Sequence, residues 1–385
     1  MKCGTPNMRF DTFDACVSAT VHAEERGHRA SFFTSQMQGY YEPEVLHAVT
    51  GRLLGSDRVG MGFPDPAPVI AAAGQATSEI DLVISAYDTV RRGPAVLAQT
   101  LLTLDHATRG RAVMALGAGE VKQLSGYGYS RKGALTKQSD SLRCLRALLD
   151  SGGAPVHVPG DYWRLDGGRM PIRPFGDHPP PVWSTPGPPW EVIGACADGM
   201  LTSLRRHRGG LDGFRHDVGE LRAATARAAR DVGRLQVAGV VLCLIAEDQA
   251  TLTEMMNSRV ARFYTLLLGA DRGAQWRDHG YQHPLGDDWG YARCAAPGRA
   301  TAAELNDAID QVPPQAVADL AFFAGTRDRV CETLADYAAA GLTYASIVDY
   351  SGRIDPSLAQ KARDNVDFLI TELQGLSAPE RPDRV

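Results

Sequence analysis

The chain has 385 residues, 44% hydrophobic and 22% charged, a balance that excludes a wholly disordered or fibrous protein. At roughly 100–200 residues per domain, that length fits two or three domains or one long α/β barrel. The formal net charge is −5, so no bulk basic field points to nucleic acid.

The predicted elements alternate from end to end. A strand at 2–6 precedes a helix around Cys16 to Arg26, then a strand at Ala30 to Thr34. Ile80 to Ala86 reads as a strand and Pro94 to Leu104 as a helix, with Pro94 suited to a first turn that needs no N–H donor. Ala112 to Leu116 is strand-like and ends on Gly117 to Glu120. Ser139 to Leu149 reads as a helix, and Val156–Val158 with Tyr162–Leu165 as a hairpin across Pro159, Gly160 and Asp161. Strands at 182–185, 200–203, 237–246 and 344–349 follow. Helices are expected at 191–197, 211–232, 249–268, 301–321, 326–340 and 356–373. Eight strands with crossover helices imply a parallel sheet closed into a (β/α)8 barrel.

Lys occurs only at 2, 122, 132, 137 and 361; the other 35 cations are Arg. The excess fits a GC-rich coding genome or Arg clusters that grip phosphate or carboxylate. Seven widely spaced Cys without a CxxC argue against a disulfide framework or zinc ribbon. The N-terminus lacks the apolar run of a signal peptide, and no window suits a membrane span. A cytoplasmic protein is expected. The histidines show no tight metal spacing, so no metal is expected, and neither GxSxG nor a P-loop is present.

Chemistry on a barrel belongs at the C-terminal strand ends. Gly117-Ala118-Gly119-Glu120 is the most suggestive, because two glycines let the backbone approach a flat ligand. It is no dinucleotide fingerprint, since Lys122 stands where a third Gly belongs. Glu120 reads either as a general acid or base or as a residue that orders the turn. The run Arg205, Arg206, His207, Arg208 reads either as an anion site or as a solvated loop.

The block from Ile84 to Glu120, ISAYDTVRRGPAVLAQTLLTLDHATRGRAVMALGAGE, resembles the signature of the bacterial luciferase-like superfamily. GDYWRL, PPPVWSTPGPPWEVIGACADGM and FFAGTRDRVCETLADYAAAGLTYASIV follow in the same order. With HGYQHPLGDDW, SGRIDPSLAQK and RRGPAVLAQ, the chain is most similar to the coenzyme F420-dependent reductases of the phthiodiolone ketoreductase-like branch. The resemblance implies one luciferase-like TIM barrel over 1–376, an insertion near 265–320 and a flexible tail at 377–385. It implies a deazaflavin ring at the mouth, over a non-prolyl cis bond mapped to Ser85-Ala86. Gly117, Ala118 and Gly119 would pass beside that ring, with Glu120 near the reacting face. Thr185, Pro186, Gly187, Pro188 and Ser203 would hold the cofactor's remainder.

Where F420-dependent sugar-phosphate dehydrogenases of the superfamily carry an Asp-His pair and a Trp, this chain has Ser35, Gln36 and Tyr40. Ser and Gln do not titrate near neutral pH, so a proton must come from Glu120, Tyr40, a histidine such as His47, or water. The reading is a reductase acting on a sizeable, mainly apolar small molecule. Ser35 and Gln36 would hydrogen-bond substrate or ring. Tyr40, His47, Trp276 and Trp289 would line the cavity, the aromatic residues reading equally as packing, and Arg205 and Arg206 would offer counter-charge. An FMN-dependent monooxygenase is the main alternative, with a catalytically dead binding subunit and an aldo-keto-type barrel behind it. A homodimer is the superfamily default.

Overall fold

The structure, a computed structural model, describes residues 1–7, 12–51 and 62–376. The expected tail at 377–385 lies outside the described residues. The strands are β1 (Lys2–Asn7), β2 (Ala30–Phe33), β3 (Asp81–Asp88), β4 (Ala112–Gly117), β5 (Val156–Val158), β6 (Leu165–Gly168), β7 (Val182–Ser184), β8 (Gly199–Ser203), β9 (Gln236–Ile245), β10 (Phe323–Gly325) and β11 (Tyr344–Asp349). β1, β2, β3, β4, β7, β8, β9 and β11 pair in that order, all parallel, and β11 returns to β1. Eight strands therefore close the (β/α)8 barrel, with helices around it.

Side chains alternate along each strand between two cores. Ala30, Phe32, Val83, Val113, Ala115, Trp183, Leu201, Ala238 and Tyr344 cluster together inside the barrel. Their neighbours Phe33, Leu82, Ile84, Met114 and Met200 belong to the layer under the helices. The N-terminal end is plugged by polar pairs. Lys2 Nζ lies 2.6 Å from Asp81 Oδ2, Tyr344 Oη donates to the same oxygen at 2.8 Å, and Trp183 Nε1 donates to Gln236 Oε1 at 2.8 Å.

Several boundaries differ from expectation for local reasons. The hairpin's second strand is Leu165–Gly168, not 162–165. The amides of Tyr162 and Trp163 donate to Asp140 Oδ2, and Trp163 Nε1 to the Thr89 carbonyl, so this pair is pinned elsewhere. The helix read as 249–268 breaks at Ser258, whose extended backbone (ψ 144°) lets its hydroxyl cap Ala261. The helix from Leu211 stops at Arg227, and the one expected over 301–321 stops at Asp310, ahead of Pro313 and Pro314. Pro43–Thr50, Pro66–Ala76 and Val121–Leu124 are helices that the pattern did not single out.

Between β9 and β10 the chain leaves the barrel. Its helices Gln249–Asn257, Arg259–Leu268, Tyr291–Cys294 and Ala302–Asp310 gather a second core with Phe263, Tyr264, Trp276, Trp289 and Leu305. Tyr41, Leu46 and Val49 from the β2–β3 connection join it. The excursion is thereby anchored over the C-terminal side of the barrel, where β10 pairs with the last residues of β9.

Candidate active site

β4 ends on Gly117, and the peptide bond Ser85-Ala86 in β3 is cis. The β3–β4 register shifts between Ile84 and Tyr87, so a bulge sits beside that bond. A Cβ on Gly117 would stand 3.4 Å from Thr185 Oγ1 and 3.9 Å from the Ala86 Cβ. Ala86 in β3, Gly117 at the end of β4 and Thr185 just past β7 thus border one cradle. Gly119 has φ +78°, a conformation that favours glycine, and turns the chain so that Glu120 precedes the helix Val121–Leu124. Asp88 accepts the amides of Val90 and Arg91 and pairs with the Arg91 guanidinium, which also reaches the Ser35 carbonyl at 3.4 Å.

Gln138, fully buried, ties the β4 and β7 ends together. Its Nε2 donates to the carbonyls of Leu116 and Thr185 at 3.1 Å each, while its Oε1 is buried without a partner. A Cβ on Gly187 would come 3.9 Å from that oxygen. Pro186 and Gly187 are exposed and Pro188 is buried, just ahead of the helix Trp190–Cys196. Ser203 is half-buried at the end of β8.

Gln123 clamps the loop after β2 to the Glu120 turn. Its Oε1 accepts the Met37 amide and its Nε2 donates to the Gln38 carbonyl, both at 2.7 Å. Ser35 is buried, Gln36 half-buried, and Tyr40 comes to the turn. There Lys122, with no exposed side-chain surface, places Nζ 3.9 Å from the Tyr40 ring centroid and 3.1 Å from Glu120 Oε2. Nζ also donates to Tyr291 Oη at 2.6 Å. Burial pulls the Lys122 amine below the usual lysine range, and Glu120 opposes it. Burial, reinforced by Glu120 and Tyr40, pushes the Tyr291 phenol well above its usual range. Lys122 and Tyr291 were missed. The available signal was rarity: Lys122 is one of five lysines and lies two residues past Glu120.

Other candidates sit elsewhere. Trp276 is fully buried and meets the His283 ring at 4.7 Å; Trp289 stacks on the other side at 4.8 Å. Both belong to the buried core of the excursion. Burial pushes His283 down to about 4. His47 is exposed on Pro43–Thr50, whose buried face is Leu46, Val49 and Thr50. Each Arg of the cluster has a partner within the chain, although Arg208 is largely exposed. Arg205 is half-buried, donates to the Phe322 carbonyl at 2.9 Å and covers the Phe323 ring at 4.3 Å. Arg206 pairs with Asp271 at 2.7 Å, and Arg208 with Asp278 at 2.8 Å.

Among the described residues no group of His, Cys, Asp and Glu is placed to hold a metal, and no helix is long and apolar enough to cross a membrane.

The family model described as luciferase-like monooxygenase matches residues 5–344. The chain belongs to the luciferase-like family. It is 25% identical over 350 residues to a phthiodiolone/phenolphthiodiolone dimycocerosates ketoreductase of Mycobacterium tuberculosis, covering 90% of this chain and 84% of that protein. Among solved structures it is similar to an F420-dependent secondary alcohol dehydrogenase in complex with an F420-acetone adduct. That match has a TM-score of 0.67 and 16% identity, covering 96% and 97% of the two chains. It is similar too to the oxygenating constituent of 3,6-diketocamphane monooxygenase from Pseudomonas putida in complex with FMN. There the TM-score is 0.61 at 17% identity, covering 98% and 99%. These two likenesses establish the fold. The family model and the curated relatives make this chain a luciferase-like oxidoreductase.

Proposed function

We propose that this chain is a deazaflavin (coenzyme F420)-dependent reductase acting on a ketone, imine or activated C=C of a mainly apolar small molecule. One observation carries the reading: Ala86, Gly117 and Thr185 border a cradle that a single added Cβ would narrow, and Glu120 follows three residues beyond Gly117. The residues present fit the group. Side-chain-free backbone at Gly117 suits a flat ring, and the unpartnered Gln138 Oε1 offers an acceptor beside the Gly187 turn to a donor on the cofactor. The bound deazaflavin supplies the hydride. Glu120 delivers the proton, while Ser35 and Gln36, held by Arg91 and the Gln123 clamp, orient substrate. The ketoreductase relative supports reduction, because a ketoreductase reduces a carbonyl.

The FMN-bound neighbour keeps a second reading in view, a flavin monooxygenase on the same cradle. Fluorescence titration of the purified chain with oxidised F420 and with FMN separates the two. Binding of F420 with weak or no binding of FMN is expected; tight FMN binding without F420 binding would sink the proposal. A cytoplasmic homodimer belongs to the same proposal, and light scattering of the purified chain checks the dimer.

A further inference from the structure

Lys122 is the buried charge at the mouth, and three chain segments meet on it. Glu120 lies on its own turn, Tyr40 comes from the loop after β2, and Tyr291 from the excursion after β9. An ammonium only donates, so Tyr291 Oη accepts from Nζ, and further N–H bonds remain for Glu120. Glu120 Oε2 is buried without a hydrogen bond, 3.1 Å from Nζ. The two side chains differ in access: 25% of Glu120 is exposed and none of Lys122. The remaining charged and titratable groups lie one layer out. Arg206 stands 5.7 Å from the Tyr291 ring centroid, Arg131 donates to the Gly119 carbonyl, and Tyr264 and Tyr350 lie behind Tyr40, with Arg353 over the Tyr350 ring.

Resting on the reductase reading, we propose that Lys122 is the proton store behind Glu120: the pair holds one transferable proton, braced by the Tyr291 hydroxyl. A reduced deazaflavin supplies the hydride. A Lys122 N–H bond breaks and a carboxyl O–H bond forms on Glu120, leaving a neutral amine. That O–H bond then breaks as an O–H bond forms on the reduced substrate's oxygen. Water at the exposed edge of Glu120 returns one proton to the pair. One proton enters and one leaves per turnover, and no electron passes through Lys122. Lys122 is a positioning residue, because it acts on substrate only through Glu120. The store answers the loss of a titrating pair at Ser35 and Gln36.

Having only five lysines makes the test direct. In protein labelled with 13C and 15N at lysine, the Nζ signals are followed across pH. One signal is expected to titrate below the usual lysine range. That one disappears in Lys122→Met, and falls further in Glu120→Gln as the carboxylate that favours the ammonium is removed. Tyr291→Phe keeps the ring and is expected to move the same signal, which covers the case in which Lys122→Met does not fold. A Lys122 signal in the usual lysine range, or one indifferent to both Glu120→Gln and Tyr291→Phe, would overturn the proposal. F420 titration of the same samples separates the two readings. Failure of the wild-type chain to bind F420 overturns the reductase reading and the store with it, whatever the lysine spectrum shows. Normal F420 binding with an unshifted Lys122 signal overturns the store alone.

Discussion

Gly117 and Glu120 stand three residues apart, and the cradle reading gives them separable tasks. A methyl at 117 would touch Thr185 at ordinary contact distance, so Gly117→Ala is expected to fold while losing about tenfold in F420 affinity. Glu120→Gln keeps the shape of the turn and removes the proton. Its expected loss is roughly 100-fold or more in turnover, with F420 affinity unchanged. Fluorescence titration beside stopped-flow F420H2 oxidation checks both. Equal loss of affinity in the two variants would place Glu120 in binding instead. Glu120 stood out in the sequence because of its turn. Lys122 was read only as the residue that spoils a dinucleotide motif, since nothing local says that a lysine will be buried under two tyrosines from elsewhere in the chain.

At the scale of elements, the run Arg205 to Arg208 shows how a charge pattern misleads. Four basic-type residues after a strand look like an anion site, yet Arg205 is spent on the Phe322 carbonyl and the Phe323 ring, the start of β10. Burial accordingly pulls its guanidinium below the usual range. Arg205→Met is expected to destabilise the fold by roughly 2 kcal/mol, because the carbonyl loses a charged partner, and to leave F420 affinity unchanged. Urea unfolding and the binding titration together decide; weakened F420 binding at full stability would restore the counter-charge role. Helix ends were similarly hard to read, because Ser258 and Pro313 interrupt apolar patterns that continue past them.

For the whole molecule, the second core sets the response to acid. Burial holds His283 at about 4 against an ordinary 6.5. Between those values the unfolded chain binds more protons, so lowering the pH through that window favours unfolding, by up to about 3 kcal/mol from this group. His28, also lowered by burial, adds to the effect, while Asp105 and Asp349, raised by burial, oppose it. Thermal melts from pH 7 to 4.5 should show a falling midpoint, with a shallower slope in His283→Gln. An unchanged slope in that variant would remove His283 as the cause. Trp276 and Trp289 belong to this same argument. Read from the sequence they suited a cavity wall as well as a core, and the structure packs both rings against His283.

Alternating strand and helix patterns were enough to specify a (β/α)8 barrel, and the block from Ile84 to Glu120 carried the resemblance to the luciferase-like superfamily. Strand period and strand-end position are local properties that survive any arrangement of the rest. Which polar groups share the mouth was decided by the tertiary structure alone. Tyr40, Glu120, Lys122 and Tyr291 are brought together by barrel closure and by the packing of the excursion on the β2–β3 connection. The electrostatics of a buried ammonium depend on those distant neighbours, and no pattern along the chain encodes that distance.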